Sequence, residues 1–206
     1  MPMPSIAREA QVEMVVERSR FIALSFRIES PEEGKGKLKE AQDRFPGATH
    51  YCYAWRLSEN QEFASDGGEP KGSAGRPILG ALRHFGLTHA LVVVVRYFGG
   101  KKLGIRGLIE AYGEAARMVL EKSGFAEYHR EYLLGITVSL PHRNFLVNRL
   151  LQMVKERERM TLEGEGRITL RVPEKEKEAV ETFLASMQRE GKILHFEERE
   201  GYSCAI

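Results

Sequence analysis

The eight residues from Ala90 to Tyr97 constrain the fold of this chain more than any other stretch. They read Ala-Leu-Val-Val-Val-Val-Arg-Tyr, so apolar and mostly β-branched residues follow one another without alternating polar positions. β-Branched side chains favour extended backbone, and a strand without alternation is one that is covered on both faces. We therefore predict a central strand with other layers of structure on both sides of its sheet.

Two glycine-rich stretches flank this strand. The first, 66–77, reads Asp-Gly-Gly-Glu-Pro-Lys-Gly-Ser-Ala-Gly-Arg-Pro, and the second, 97–104, reads Tyr-Phe-Gly-Gly-Lys-Lys-Leu-Gly. Glycine is frequent where the backbone takes a positive φ or comes close to another group. Both stretches are therefore predicted to be structured loops, the first followed by a short helix from Pro77 to His84.

The second loop leads into a longer helix that begins at Gly104 and is capped by Gly124. Apolar residues recur along it at helical spacing. The residues predicted to face inward are Ile105, Leu108, Ile109, Tyr112, Ala116 and Val119.

The rest of the chain predicts two α+β domains, residues 1–127 and 128–206. Before the first loop, strands are predicted at 12–17, 21–26 and 49–57, with Arg18–Arg20 as the turn between the first two. A helix is predicted to start at Ser30-Pro31, because serine is a good N-cap and proline suits the first turn. After residue 127 the predicted elements follow the order βαββαβ, which is that of a ferredoxin-like sandwich.

The charges are distributed unevenly. The chain of 206 residues has a formal net charge of only +2, but the window from Lys71 to Ile109 holds seven Lys or Arg residues and no Asp or Glu. A basic surface without acids is typical of anion binding, and on a large open surface the anion is usually phosphate.

Other bulk properties exclude some classes of protein. No run approaches the roughly 18 apolar residues of a membrane span, and the first residues lack the pattern of a signal peptide. The two cysteines, Cys52 and Cys204, are far apart. They predict free thiols in a reducing cytoplasm rather than a disulfide framework.

The two loops closely resemble the signature of the IMPACT/YigZ family. The resemblance is carried by 66–77 and by 96–108, while 48–50 and 52–54 fit the strand that precedes the signature in that family. It implies an N-terminal domain similar to one in a small-subunit ribosomal protein and to domain IV of elongation factor G. The ferredoxin-like C-terminal domain then resembles domain V of the same factor. Eukaryotic relatives regulate translation during amino-acid starvation.

Two positions depart from the family pattern. Gly67 stands where the family usually has Asp, which removes an acid that a metal site could use. Arg106 stands where the family often has Gly, which adds a cation to the basic stretch.

The residues of the two loops are predicted to have two kinds of role. A glycine-rich turn before a helix offers free backbone N–H groups to an anion, and lysines beside it add charge. The predicted phosphate or nucleic-acid contacts are Lys71, Arg76, Arg96, Gly99, Gly100, Lys101, Lys102, Gly104 and Arg106. The predicted loop-structuring residues are Asp66, Glu69, Pro70, Gly72, Ser73 and Gly75. Tyr97 and Phe98 are candidates for base stacking.

Several residues have more than one interpretation. Arg96 could reach the second loop, or it could form a structural ion pair with Asp66 or Glu69. Those two acids could form a paired-carboxylate site, but holding their own loop is the simpler interpretation. His50 and Cys52 share one face of a strand, which predicts a packed histidine and a buried thiol rather than a zinc site. No metal or other cofactor is predicted.

These observations favour a cytoplasmic, non-enzymatic protein that binds RNA or the ribosome through its basic glycine-loop face and acts in translation or its regulation. Two alternatives stay open. One is an enzyme acting on a phosphorylated or nucleotide substrate at the same loops. The other is a regulator that binds a translation or stress factor. No membrane partner is expected.

Overall fold

The computed structural model describes residues 3–155, 159–164 and 166–205, with side chains for 4–127, 129, 131–155, 159–164 and 166–199. The chain divides into two compact units, residues 3–127 and 128–205. Both combine helices with β-sheet. Cys204, predicted to be a free thiol, lies outside the described side chains.

The first unit is built around one five-stranded sheet with helices on both of its faces. Its elements, in chain order, are β1 (Met3–Ile6), β2 (Ala10–Val16), β3 (Ser19–Arg27), α1 (Pro31–Arg44), β4 (His50–Arg56), β5 (Glu62–Ser65), α2 (Gly75–His84), β6 (Ala90–Tyr97) and α3 (Gly104–Ser123). The strand order is β2-β3-β6-β4-β5. Each neighbouring pair is antiparallel.

β6 is the central strand of this sheet, as the sequence predicts. Its side chains alternate between two separate cores. Val92 and Val94 pack with residues of α2 and α3, whereas Val93 and Val95 pack on the opposite face with residues of α1. Both faces are apolar because both are covered, which explains the absence of polar alternation.

The inward face of α3 differs from the prediction at two positions. Ile105 and Ile109 are 62% and 41% exposed. The buried face of the helix combines small residues with larger ones. Its buried residues are Leu108, Ala111, Tyr112, Ala115, Ala116, Val119, Leu120 and Ser123.

Other local predictions hold or shift by a residue or two. The Ser30 hydroxyl accepts the Glu33 N–H at 3.1 Å and caps α1. The β2–β3 turn lies at Glu17 and Arg18, both with positive φ, one residue earlier than predicted. β1 and β5 were not predicted. β1 is held by hydrogen bonds such as that from the Thr88 N–H to the Pro4 carbonyl at 2.9 Å.

The second unit has the predicted order βαββαβ. Its elements are β7 (Phe125–Val138), whose first three residues belong to the first unit, α4 (Arg143–Val154), β8 (Met160–Glu163), β9 (Arg167–Pro173), α5 (Glu174–Arg189) and β10 (Ile193–Ala205). The strands lie in the order β8-β9-β7-β10. Residues of α4 and α5 pack with strand residues in one apolar core. Among the described residues, none of the helices is both long enough and apolar enough to cross a membrane.

Candidate functional site

The first loop, 66–74, is organised by the carboxylate of Asp66. Its Oδ2 accepts the N–H of Gly72 at 2.8 Å, and its Oδ1 accepts those of Ala74 and Gly75 at 3.0 and 2.9 Å. Gly75 begins α2, and Ala74 has no side chain that could cap the helix. Asp66 therefore caps α2 from the start of the loop.

The same bonds set the ionisation of Asp66. Partial burial raises the pKa of this carboxyl, but the N–H donors from Gly72, Gly75 and Ala74 outweigh burial and lower the pKa below its ordinary value. A carboxylate that accepts several backbone N–H groups is stabilised in its charged form. Asp66 is therefore held as an anion that faces its own loop.

Gly67 fits the loop because it has no side chain. With φ at +55°, a β-carbon at this position would lie 2.2 Å from the carbonyl oxygen of Tyr51. No real β-carbon approaches a backbone atom so closely. In this conformation an aspartate could not occupy position 67 without a shift of the backbone, so the departure from the family pattern agrees with the local packing.

Glu69, in the same loop, forms a buried ion pair. Its Oε1 accepts Arg96 Nη1 at 2.6 Å and the hydroxyl of Tyr112 at 2.8 Å. The side chains of Glu69 and Arg96 are nearly inaccessible to solvent. Breaking a buried pair leaves an uncompensated charge, so the pair fixes the loop against β6 and α3.

The two glycine loops meet at Arg96. Its guanidinium lies 5.4 Å from the ring centre of Phe21 and 5.5 Å from that of Phe98, the first residue after β6. Its Nη2 donates to the Ser19 hydroxyl at 3.2 Å. At 4% exposure, Arg96 adopts the structural pairing that was one of its two predicted roles, and it does not belong to the exposed cations.

The second loop, 98–103, is held by the β2–β3 turn. The N–H of Gly99 donates to the Ser19 hydroxyl at 3.3 Å, and a β-carbon at Gly99 would lie 2.0 Å from the carbonyl carbon of Arg18. Glycine at this position lets the two backbones touch. The turn thereby places Arg18, an exposed cation, beside the loop. The sequence did not indicate Arg18 as a site residue, because it comes near the loop only in the folded chain.

His50 and Cys52 are packed beside the loops. His50 Nδ1 lies 3.1 Å from the Gly67 carbonyl oxygen, and its Nε2 is 3.8 Å from Glu69 Oε1. The Cys52 thiol donates to the Asp66 carbonyl at 2.9 Å, and burial raises its pKa to about 12. A thiol with so high a pKa is a poor nucleophile. Within the described part of the chain, no three His, Cys, Asp or Glu side chains are grouped so that they could hold a metal.

The exposed cations among the predicted phosphate contacts fall into two groups. Lys101 pairs with Glu17 and Arg106 pairs with Glu110. The remaining three, Lys71, Arg76 and Lys102, are exposed. In the described residues these three have neither an ion pair nor a side-chain hydrogen bond.

The remaining predicted residues divide between packing and exposure. The buried Ser73 hydroxyl donates to the Pro70 carbonyl at 2.6 Å. This hydrogen bond closes the loop, and the buried hydroxyl is unsuited to nucleophilic attack. The Tyr97 hydroxyl donates to the Pro46 carbonyl at 3.2 Å. Phe98 is exposed beside Gly100. Of the two stacking candidates, Phe98 is therefore the more accessible.

The sequence pattern of the protein family "Impact N-terminal domain" matches residues 17–120. This range includes both loops and the strands that meet at Arg96. The chain belongs to the IMPACT family. A Thermus thermophilus protein named "IMPACT family member in pol 5′ region" is 46% identical over 109 residues, which are 53% of this chain and 59% of that protein. The IMPACT family member YvyE of Bacillus subtilis is 38% identical over 125 residues, or 60% of this chain and 58% of YvyE.

A solved structure extends the IMPACT comparison to both units. It is described as the crystal structure of an hypothetical protein, is 27% identical, and covers 96% of each chain with a TM-score of 0.66. The sequence matches to the two named relatives span less than two thirds of each relative's length. The match to the family thus includes both loops, and the two-unit architecture is shared with a solved structure.

Proposed function

We propose that this IMPACT family member binds single-stranded RNA through the phosphates of its backbone, at the basic surface of the two glycine loops. One observation carries the proposal. Both loop carboxylates, Asp66 and Glu69, face inward and are satisfied by protein donors, whereas Lys71, Arg76 and Lys102 are exposed. The loops therefore present cations to solvent and keep their acids inside.

The two paired cations can join this surface. The Lys101–Glu17 and Arg106–Glu110 pairs are exposed, and exposed ion pairs contribute only about 0–1 kcal/mol. A phosphate can therefore compete for either cation at little cost. The N–H of Gly99, also predicted to contact phosphate, is already donated to the Ser19 hydroxyl. The N–H groups of Gly100 and Gly104 would complete the contacts, because backbone donors before a helix favour an anion.

We further propose that the two units correspond to domains IV and V of elongation factor G and that the RNA is ribosomal or ribosome-associated. The βαββαβ order of the second unit supports this correspondence, although fold likeness is an argument by analogy. A role in translation or its regulation, in the cytoplasm, follows from the same proposal.

The enzyme alternative needs a group that can move a proton or attack a phosphate. The candidates at the loops are Asp66, Glu69 and Ser73, and each side chain is already hydrogen-bonded within the protein. The alternative of a protein partner needs an acidic surface opposite the lysines. Both alternatives are outcomes of the experiment below.

The test is fluorescence anisotropy of a labelled single-stranded RNA at several salt concentrations, with wild type and the variant Lys101→Ala/Lys102→Ala. Each phosphate contact adds about 0.7 to the salt slope for a single strand. We expect weaker binding for all sequences alike, a slope reduced by about one to two and an unchanged melting temperature.

A matched control is Arg117→Ala/Lys122→Ala, which removes the same charge near the other end of the 20-residue helix α3, roughly 30 Å long. It should bind like wild type. Equal affinity for wild type and the lysine variant would show that these lysines do not contribute to RNA binding. If neither binds RNA at low salt, the protein-partner alternative is favoured. Phosphoester turnover that is lost on changing Asp66 or Glu69 would instead indicate an enzyme.

A further inference from the structure

A strip of aromatic rings lies along β4 and β5, on the sheet face that carries α1. Phe63 of β5 pairs directly across from Trp55 of β4. Their rings are stacked, with centres 6.0 Å apart, and the ring of Tyr53 lies 5.8 Å from that of Phe63 on the other side. Phe63, on the edge strand of the sheet, is 46% exposed.

The polar groups of Tyr53 and Trp55 differ in their hydrogen bonding from those of the other tyrosines on the same face. The hydroxyls of Tyr51 and Tyr97 donate to the carbonyls of Phe45 and Pro46. Those two rings thereby attach the end of α1 to the sheet. In contrast, the Tyr53 hydroxyl and the Trp55 indole N–H make no hydrogen bond within the described structure, and both residues are half-buried. Their polar groups are available to a ligand.

Lysines border the strip on one side. Lys37 pairs with Glu9, which precedes β2, and Arg44 donates to Gln11 of β2. These contacts turn one flank of α1 towards β2. A β-carbon added at Gly34 would lie 3.8 Å from the indole ring of Trp55, so the first turn of α1 lies over that end of the strip. Lys35 is the next residue, and Lys39 lies about one turn further along the helix. Both lysines are exposed, and no ion pair engages them within the described residues.

The strip is continuous with the first glycine loop. Tyr53 pairs across the sheet with Ser65, the last residue of β5, and the next residue along the chain is Asp66, which organises that loop. Along the chain, the strip therefore ends one residue before the loop begins.

We propose that the strip formed by Tyr53, Trp55 and Phe63 stacks the bases of single-stranded RNA, while Lys35 and Lys39 contact its phosphates. This inference rests on the proposed function and adds the surface that receives the bases. Every base has a π-face, so stacking on aromatic side chains binds single strands with little sequence preference. A duplex buries its bases, so the strip selects unpaired RNA.

Trp55 allows a direct measurement, because the chain contains one tryptophan. The first probe is oligouridine, and the second is an oligomer of the same length made of abasic sites, which keeps the phosphates and lacks the bases. We expect oligouridine to quench the emission of Trp55 at saturation and the abasic oligomer to leave it unchanged. This measurement uses the wild-type chain and does not depend on a variant.

The matching variants are Phe63→Leu and, as a control, Phe125→Leu. Phe125 is 51% exposed and packs against Phe85, which lies on the opposite face of the sheet from α1. Loss of one stacked base is expected to weaken oligouridine binding about tenfold in Phe63→Leu, while Phe125→Leu binds like wild type. Melting curves establish that both variants are folded.

The outcomes separate this inference from the proposed function. One outcome is that Lys101→Ala/Lys102→Ala weakens binding, while Phe63→Leu binds like its control and oligouridine does not quench Trp55. That outcome supports RNA binding at the loop surface and contradicts base stacking on the strip. If Phe63→Leu weakens binding and the lysine variant does not, the strip stands and the loop surface fails. Equal quenching by both oligomers overturns base stacking. Absence of binding by wild type at low salt overturns both.

Discussion

A single carboxylate, that of Asp66, carries much of the order of the first glycine loop. It accepts the N–H groups of Gly72, Ala74 and Gly75 and lies at the N-terminus of α2. The partial positive charge of a helix N-terminus favours an anion there. The loop backbone and the start of α2 are therefore fixed together by one side chain.

Replacing Asp66 by Ala should destabilise the protein by about 3 kcal/mol, because hydrogen bonds to a charged group are worth about 1.5–3 kcal/mol and partly buried donors lose their acceptor. Urea unfolding measures the change. Glu59→Ala is the control, since Glu59 is an exposed acid in the β4–β5 turn and should change stability by less than about 0.5 kcal/mol. A loss no larger than that of the control would contradict the capping role.

The contribution of Asp66 should also depend on pH. Its pKa is lowered in the folded protein, so its stabilising effect is present above the unfolded value of about 3.9. The effect is lost as the pH falls through the folded pKa. The stability difference between wild type and Asp66→Ala should therefore shrink in acid.

At this scale the sequence predicts local bonds and misses distant ones. An Asp ahead of glycines predicts a side chain that bonds nearby backbone, and the acceptor of the loop N–H groups is indeed Asp66. Glu69 instead reaches Arg96 and Tyr112, which are 27 and 43 positions away. Charge pattern alone could offer Arg96 as a partner, but nothing in it singled out Tyr112.

Among the elements, α3 shows why helical spacing alone does not choose a buried face. Apolar residues occupy more of its circumference than the sheet can cover. Its buried residues include the small Ala111, Ala115 and Ala116 as well as the larger Leu108, Tyr112, Val119 and Leu120. A β-carbon added at Gly113 would be in ordinary van der Waals contact with Pro77 of α2, at 3.6 Å, so α3 packs against α2 as well as against the sheet. The position of α3 against both the sheet and α2 therefore decided the face, and Ile105 and Ile109 were left outside it.

Two neighbouring substitutions test this orientation. Leu108 is 6% exposed and Ile109 is 41% exposed. Leu108→Ala should cost about 2–5 kcal/mol, as expected for a core leucine, whereas Ile109→Ala should cost less than about 1 kcal/mol. The two variants serve as mutual controls in the same turn of the helix. Equal costs in thermal or urea unfolding would show that α3 is rotated from this position.

Strand prediction succeeded where the sequence is long and apolar. β6 has the predicted bounds, because its eight residues are covered on both faces. β5 is a four-residue edge strand, and β1 is equally short. Such strands carry too few residues for a pattern, and their pairing depends on partners elsewhere in the chain. Phe63 was missed for the same reason, since it meets Trp55 only once β5 has paired.

At the scale of the whole chain, the apolar residues form cores that do not cross residue 127. The two cores on either face of the first sheet draw their buried residues from positions 6–120. The core of the second unit draws on positions 134–193. A unit that contains its own core can in principle fold alone.

We therefore expect a fragment of residues 1–127 to be soluble and to unfold cooperatively. Trp55 lies in this unit and is the only tryptophan of the chain, so its emission reports on the same core in the fragment and in the full-length protein. The control is Leu24→Ala within the fragment, which should lower the unfolding midpoint because Leu24 is buried on the α1 side of the sheet. A two-state transition is expected by both tryptophan emission and circular dichroism, with coincident midpoints. A fragment without a cooperative transition, alongside a stable full-length chain, would show that the first core needs residues beyond 127.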